Sequence, residues 1–171
     1  VVTLERRNGE FLAQGFYSDR SKIAFRLVSR HLGPIDRDFW RERLRRAAHF
    51  RQAVVQETNA YRLVYGESDG VPSLIVDRYG DHLVMQTLSQ GADHLTLLFA
   101  ELLAELFRPS SILLRNDLTV RGLESLPQEK KMLMGELPRK IEVHEGDIRY
   151  WVVPWTGHKT GAYLDQRENR L

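Results

Sequence analysis

The sequence predicts an α+β fold built as two units joined by a helix. Three observations carry that expectation. Short alternating or β-branched runs are bounded by turn signals such as Asn8-Gly9, Gly33-Pro34, Asp69-Gly70 and Tyr79-Gly80-Asp81. Two stretches, starting at Asp36 and Asp93, place apolar residues at helical spacing instead. Charge is also uneven, with 12 Lys+Arg against 6 Asp+Glu over residues 1–51 and 13 against 17 over residues 52–171. The first unit is therefore expected to be small, basic and β-rich, and the second mixed.

The elements follow in order. Val1–Arg7 and Phe11–Phe16 read as strands around the tight Asn8-Gly9 turn. Tyr17–Ser21 is a loop, and Lys22–Arg30 alternates Ile23, Phe25 and Leu27 against polar or small neighbours as a half-buried strand. Asp36 caps a helix expected to run to about Thr58, with Trp40, Leu44, Ala47 and Ala48 on its apolar face. Tyr61–Tyr65, Leu74–Asp77 and His82–Leu88 read as strands, the last two as a hairpin. Asp93 is expected to start a second helix with a leucine-rich stripe that Pro109 stops. Ser111–Arg115 is a short apolar strand and Asn116–Gln128 is polar and irregular. Lys131–Gly135, Lys140–His144 and Ile148–Val153 complete the strands.

The 171 residues, 42% hydrophobic and 28% charged, suffice for a real core. No apolar run approaches membrane-span length, so no membrane partner is expected. No secretory signal pattern opens the chain, and cysteine is absent, which suits a cytoplasmic setting. The β-branched Val1-Val2-Thr3 opening points to a chain that begins inside a strand. The six histidines are scattered without a short metal-type pair, so no metal site is expected. The basic first unit favours an anionic partner, most plausibly nucleic acid, against the plain alternative of a solvated arginine face.

The densest chemistry lies in Thr156–Arg170, T-G-H-K-T-G-A-Y-L-D-Q-R-E-N-R. Asp165 and Glu168 have the spacing of a capping box, and Gly161 permits a turn before it. A helix start there offers free N–H groups to a carboxylate or phosphate, with Lys159, Gln166, Arg167 and Asn169 as directional contacts and Tyr163 as a cover for a flat ring. An ordinary capped helix after a hairpin explains the same spacing.

This run resembles the K-T-G-F-F-L-D-Q-R-x-N-R signature of bacterial large-subunit ribosomal RNA methyltransferases that modify carbon 5 of cytosine. These are S-adenosylmethionine enzymes with an N-terminal PUA domain. Leu63–Asp81, L-V-Y-G-E-S-D-G-V-P-S-L-I-V-D-R-Y-G-D, is similar to that family's linking-domain pattern G-E-x-D-G-L-P-G-L-I-V-D-R-Y-G-D. Gly15–Ser29 is similar to its PUA pattern G-x-Y-N-P-x-S-x-I-x-x-R-x-L-S, with Asp19 in place of the usual proline. Tyr163 stands where the family usually has Phe, and His158 where it commonly has Gln.

The resemblance implies a β-barrel-like PUA module over residues 1–35, a linker helix over 36–58, an α+β linking domain over 59–154, and over 155–171 the first segment of a Rossmann-like methyltransferase domain. It implies that Lys159, Thr160, Tyr163, Asp165, Gln166 and Arg167 face S-adenosylmethionine. It implies that Arg20, Lys22, Arg26, Arg37, Arg41 and Arg45 face ribosomal RNA. The family's Gly-rich loop, D-P-P segment and catalytic cysteine have no counterpart in these residues and are expected beyond Leu171. Carbon-5 methylation needs a thiolate to add to the ring, so these 171 residues alone are expected to be inactive. For the same reason the segment after Pro154 is expected to lack a core to pack on. Two other readings stay open: a non-catalytic RNA-binding adaptor, and a related methyltransferase acting on guanine. The oligomeric state is open as well, a homodimer included.

Overall fold

The computed structural model describes residues 1–169, with side chains described through Gln166. The first unit is an antiparallel sheet of β1 (Val2–Glu5), β2 (Phe11–Tyr17) and β3 (Phe25–Ser29) in that order. Gly9 takes φ 83° at the turn between β1 and β2, the left-handed conformation that the Asn-Gly pair supplies cheaply.

Helix α1 spans Arg37–Val54, and the Asp36 carboxylate caps it by accepting from the Phe39 N–H at 3.0 Å. It ends four residues short of the expected Thr58. Arg51 in its last turn is pinned by a two-pronged pair with Asp69 (2.9 and 2.7 Å) and donates to the Arg62 carbonyl. The backbone leaves the helix at Val55 (φ −93°, ψ 120°), and Glu57 takes φ 54°, which turns the chain into the next strand.

The second unit centres on five strands in sequential order: β4 (Ala60–Tyr65), β5 (Leu74–Tyr79), β6 (His82–Thr87), β7 (Ser111–Asn116) and β8 (Glu129–Gly135). All neighbours are antiparallel except β6 and β7, which are parallel. The crossover between them carries α2 (Gln90–His94) and α3 (Thr96–Phe107). The expected helix start at Asp93 is thus replaced by a break. Ser89 caps α2, and Asp93 lies within it, its carboxylate accepting from Arg121 (2.9 Å) and Thr87 (3.2 Å) rather than capping. A hairpin of β9 (Ile141–Glu145) and β10 (Ile148–Val152) lies apart from the large sheet.

The five-stranded sheet is covered on both faces, which is why β5–β7 are almost wholly buried. One face packs on α1, α3 and the inner side of the first unit; this cluster joins Phe16, Val28, Trp40 and Leu44 to Leu74, Met85, Phe99 and Ile112. The other face buries Tyr79, Val84 and Leu113 against Ile141, Val143 and Val152 of the hairpin, with Ala162 and Leu164 packed on it. Trp40, 1% exposed, is the hub of the first cluster. Its ring stacks on Phe16 (5.8 Å) and meets Phe39 (5.1 Å) and Phe99 (5.4 Å) edge-on.

Because that one ring touches the first sheet, α1 and α3, Trp40→Ala should cost about 3–5 kcal/mol. A calorimetric scan should show one transition, lowered by roughly 10 °C, with both units melting together. A separate low-temperature transition for the first unit would contradict the shared core.

Candidate functional site

The residues after β10 are held to the second unit at two points. The first is Arg115 on β7, buried to 7% exposure. Its Nη1 donates to the carbonyls of Pro154 (2.7 Å) and Gly157 (2.8 Å). Its other edge forms a bidentate pair with Asp117 (3.0 and 2.9 Å). Those hydrogen bonds from Arg115 hold the Asp117 carboxyl down to about 2, with Lys130 assisting at 3.1 Å and partial burial opposing.

The second point is Thr160. Its hydroxyl donates to the Asp77 carboxylate at 2.5 Å and lies 2.9 Å from the Tyr79 hydroxyl. A carboxylate can only accept, so the Thr160 proton goes to Asp77, and Tyr79 must be the donor to Thr160. The Tyr79 oxygen in turn accepts from the Ala162 N–H at 3.2 Å. Asp77 is completely buried on β5, and Arg62 of β4 neutralises it through two bonds of 2.9 and 3.1 Å. Burial, then the nearby Asp77 charge, pushes the Tyr79 hydroxyl well above its usual range, so it stays a donor.

The two glycines of T-G-H-K-T-G are sterically required. A Cβ on Gly157 would sit 2.7 Å from the Val153 carbonyl oxygen and 2.8 Å from that of Gly161. Gly161 has φ 143°, and a Cβ there would meet Val152 Cγ1 at 2.7 Å. This corrects the expectation of a segment without packing. Ala162 and Leu164 lie on the second cluster, and Thr160 is buried.

The residues assigned by resemblance to the cofactor divide into two groups. Thr160 turns inward, as described. Lys159, Tyr163, Asp165 and Gln166 face outward. Lys159 pairs with Asp165 (2.8 Å) and lies over the Tyr163 ring (4.6 Å), beside which stands His158 (5.9 Å). Asp165 therefore engages Lys159, and residues Leu164–Asn169 form a 3₁₀ segment with a kink at Gln166. The side chains of Arg167 and Glu168 lie outside the described residues.

The six basic residues also divide. Arg20, Lys22 and Arg26 line one cleft of about 390 Å³ between the β2–β3 loop and the 3₁₀ turn Thr119–Glu124. Ile23, Leu88, Val120 and Leu123 supply its apolar lining. Arg26 reaches Glu124 (3.3 Å) and Glu67 (3.6 Å), and its Nε is buried without a hydrogen-bond partner. Arg20 lies 3.5 Å from Asp19, while Lys22 has no ion pair among the described residues. The arginines of α1 are instead matched by acids. Arg37 pairs with Glu101 (2.7 Å) and Glu105 (3.3 Å), Arg41 with Asp38 and Glu105, and Arg45 with Glu42 (3.3 Å). The hydrogen bonds from Arg41 and Arg37 lower the Glu105 carboxyl below its usual range.

Tyr79, Arg62 and Arg115 sit in strands and carry no expectation from sequence as site residues, and Asp77 reads there only as a strand-end aspartate. Arg121, equally unmarked, is fully buried and bonded to the carbonyls of Thr87 and Pro127. A strand aspartate next to a fully apolar run was the one available signal, since a buried charge needs partners.

Comparison with known proteins matches this arrangement. Residues 1–30 match the PUA-like domain family. The whole chain superposes on part of a Streptococcus mutans protein assigned as an S-adenosylmethionine-dependent methyltransferase, with TM-score 0.81 and 21% identity over 99% of this chain and 44% of that one. A second methyltransferase structure, complexed with SAH, gives TM-score 0.83 and 21% identity over 99% of this chain and 43% of that one. The fold is shared with part of those two methyltransferase structures.

The sequence relatives narrow the class. Ribosomal RNA large subunit methyltransferase I of Vibrio cholerae is 39% identical over 95% of this chain and 42% of its own length. The Shewanella amazonensis protein of the same name is 41% identical over 99% of this chain and 44% of its own. The chain is similar to these ribosomal RNA large subunit methyltransferase I proteins and spans about two fifths of the length of the relatives it matches.

Two outcomes test the anchors. Thr160→Val keeps the volume but leaves Asp77 and Tyr79 each short of a partner, at a cost of about 1–3 kcal/mol. Amide exchange at Ala162 should accelerate in this variant; unchanged exchange would show that the hydroxyl does not hold the segment. The second outcome concerns acid. Asp117 is lowered in the folded state, so its contribution is complete above its ordinary value of about 4 and is lost as pH falls through about 2. Chemical denaturation between pH about 5 and 2 should therefore show a stability loss that Asp117→Asn reduces.

Proposed function

We propose that this chain is the RNA-gripping and linking portion of an S-adenosylmethionine-dependent ribosomal RNA methyltransferase acting at carbon 5 of cytosine. The single observation that carries the reading is the cleft that gathers Arg20, Lys22 and Arg26 against an apolar wall. Cations there take phosphates, and Ile23, Val120 and Leu123 offer surface to an unstacked base.

The second unit has a different task. Through Arg115, Asp77 and Tyr79 it sets the position of residues 154–164, and in this reading the outward side chains of Lys159 and Tyr163 and of the following Asp165 and Gln166, with Arg167, form one edge of the cofactor pocket. Thr160 serves that pocket by holding the segment. S-adenosylmethionine, when bound, supplies the methyl group. The Gly-rich loop and the thiolate come from the rest of the parent protein, so these residues alone bind and orient without catalysing. The parent works in the cytoplasm on ribosomal RNA.

The α1 arginines contribute only by exchanging carboxylate partners for phosphate. Arg37, Arg41 and Arg45 already have carboxylate partners, which makes them weaker ligands than Lys22, which has none among the described residues. Fluorescence anisotropy of a single-stranded ribosomal RNA fragment against salt tests this. Three phosphate contacts give a log–log slope of about −2, at about −0.7 each. Arg20→Ala with Lys22→Ala should flatten the slope by about 1 to 1.5. Arg41→Ala with Arg45→Ala should change it by less than about half a unit. Salt-independent binding, or none, would remove the RNA-gripping role.

A further inference from the structure

Two of the three tryptophans are exposed, Trp151 by 54% and Trp155 by 42%, whereas Trp40 is 1% exposed. An exposed indole forfeits the largest apolar burial of any side chain, so two of them four residues apart in sequence need a reason. Trp155 lines a cleft of about 550 Å³ whose walls include Met132, Leu137, Pro138 and Val153. That volume lies within the range of small-ligand sites, roughly 300–1,000 Å³.

The charges around it are specific. Arg139 lines the cleft, and Lys140 follows it in sequence. Neither has a carboxylate partner among the described residues, unlike the α1 arginines. The Lys140 ammonium lies 3.9 Å from the Trp151 ring centroid. Lys130 lies 6.0 Å from the Trp155 ring and donates to the Trp155 carbonyl at 2.7 Å, while sharing Asp117 with Arg115. Glu136 is the carboxylate that lines the cleft. Flat rings beside unpaired cations match unpaired nucleotides, whose bases stack and whose phosphates are anionic.

We propose that the face formed by Arg139, Lys140, Trp151 and Trp155 is a second RNA contact, in which an unpaired base stacks on Trp155 while Arg139 and Lys140 take the adjoining phosphates. This rests on the RNA-binding reading above but on other residues, since the first cleft is lined by the β2–β3 loop and the Thr119–Glu124 turn and shares no residue with this one. The second unit then holds RNA directly, on the side from which the cofactor-edge segment emerges. Single-stranded RNA is preferred here, because bases in a duplex present no free ring face.

The test uses the 171-residue chain, a single-stranded RNA decamer and a duplex of equal length. Trp155→Ala should weaken decamer binding roughly tenfold, as the loss of one stacked base does. It should leave duplex binding unchanged, and Trp155→Phe should restore most of the affinity. Arg139→Ala with Lys140→Ala should flatten the salt slope by about 1 to 1.4. This pair sits on the surface and tests the same contact if the tryptophan variant fails to fold. Decamer addition should also quench the fluorescence of the exposed indoles. If the chain binds no RNA, this proposal and the RNA-gripping role fall together. If binding responds to Arg20→Ala with Lys22→Ala but to neither change here, this proposal alone is overturned and the face is one that another protein surface covers.

Discussion

The Asp77 carboxylate is the constraint on which the second unit is organised. It is wholly buried in the middle of a sheet covered on both faces. A lone carboxylate in that position would be severely destabilising, so its partners are obligatory. Arg62 supplies the opposite charge from the neighbouring strand, and Thr160 supplies a hydroxyl from a segment 83 residues away in sequence. Tyr79 closes the ring by donating to Thr160 and accepting from Ala162. The I-V-D-R-Y-G-D and T-G-H-K-T-G-A-Y-L-D runs thus meet in space. Each is intelligible only with the other, one providing the buried charge and the other its last hydrogen bond.

Electrostatics elsewhere separates two kinds of basic residue that look alike in sequence. Arg37 and Arg41 of α1 pair with Glu101 and Glu105 of α3 and form an ion-pair seam between the two helices, while Arg45 pairs with Glu42 on its own helix. Such exposed pairs contribute little to stability individually, but they lower the local positive potential. Lys22 of the β2–β3 loop and Arg139 and Lys140 before β9 have no such carboxylate partner among the described residues. A net charge counted over the first 51 residues therefore overstates the potential along α1, and the useful positive surface lies in loops.

Much of the fold was legible in the residues. Asn8-Gly9, Asp36, Tyr79-Gly80-Asp81 and Glu145-Gly146-Asp147 mark turns and caps by local chemistry, and the structure places each where that chemistry requires. The break between α2 and α3 was not legible, because Asp93 has the composition of a cap and is diverted by the buried Arg121, a contact 28 residues away. The end of α1 was hidden for the same reason, since the Arg51–Asp69 pair rather than any helix breaker sets it. At the site, the outward residues of the terminal segment could be named from spacing and resemblance. The inward turn of Thr160 and the roles of Arg115 and Tyr79 could not, since strand residues carry no local mark of a distant partner. The cleft at Trp155 depends on the hairpin's placement against β8, which no local pattern encodes.

The stacking of Trp40 between Phe16 and Phe99 has a consequence for synthesis. The ring that seals the first sheet belongs to α1, and the surface it closes against belongs to α3. During synthesis the inner face of the β1–β3 sheet lacks part of its cover until α3 (Thr96–Phe107) has been made. The parallel partner of β6 appears later still, after the same crossover. The front of the molecule therefore cannot be a finished module that waits for the rest. Its apolar face is completed only when α3 docks, so the two units are expected to fold together.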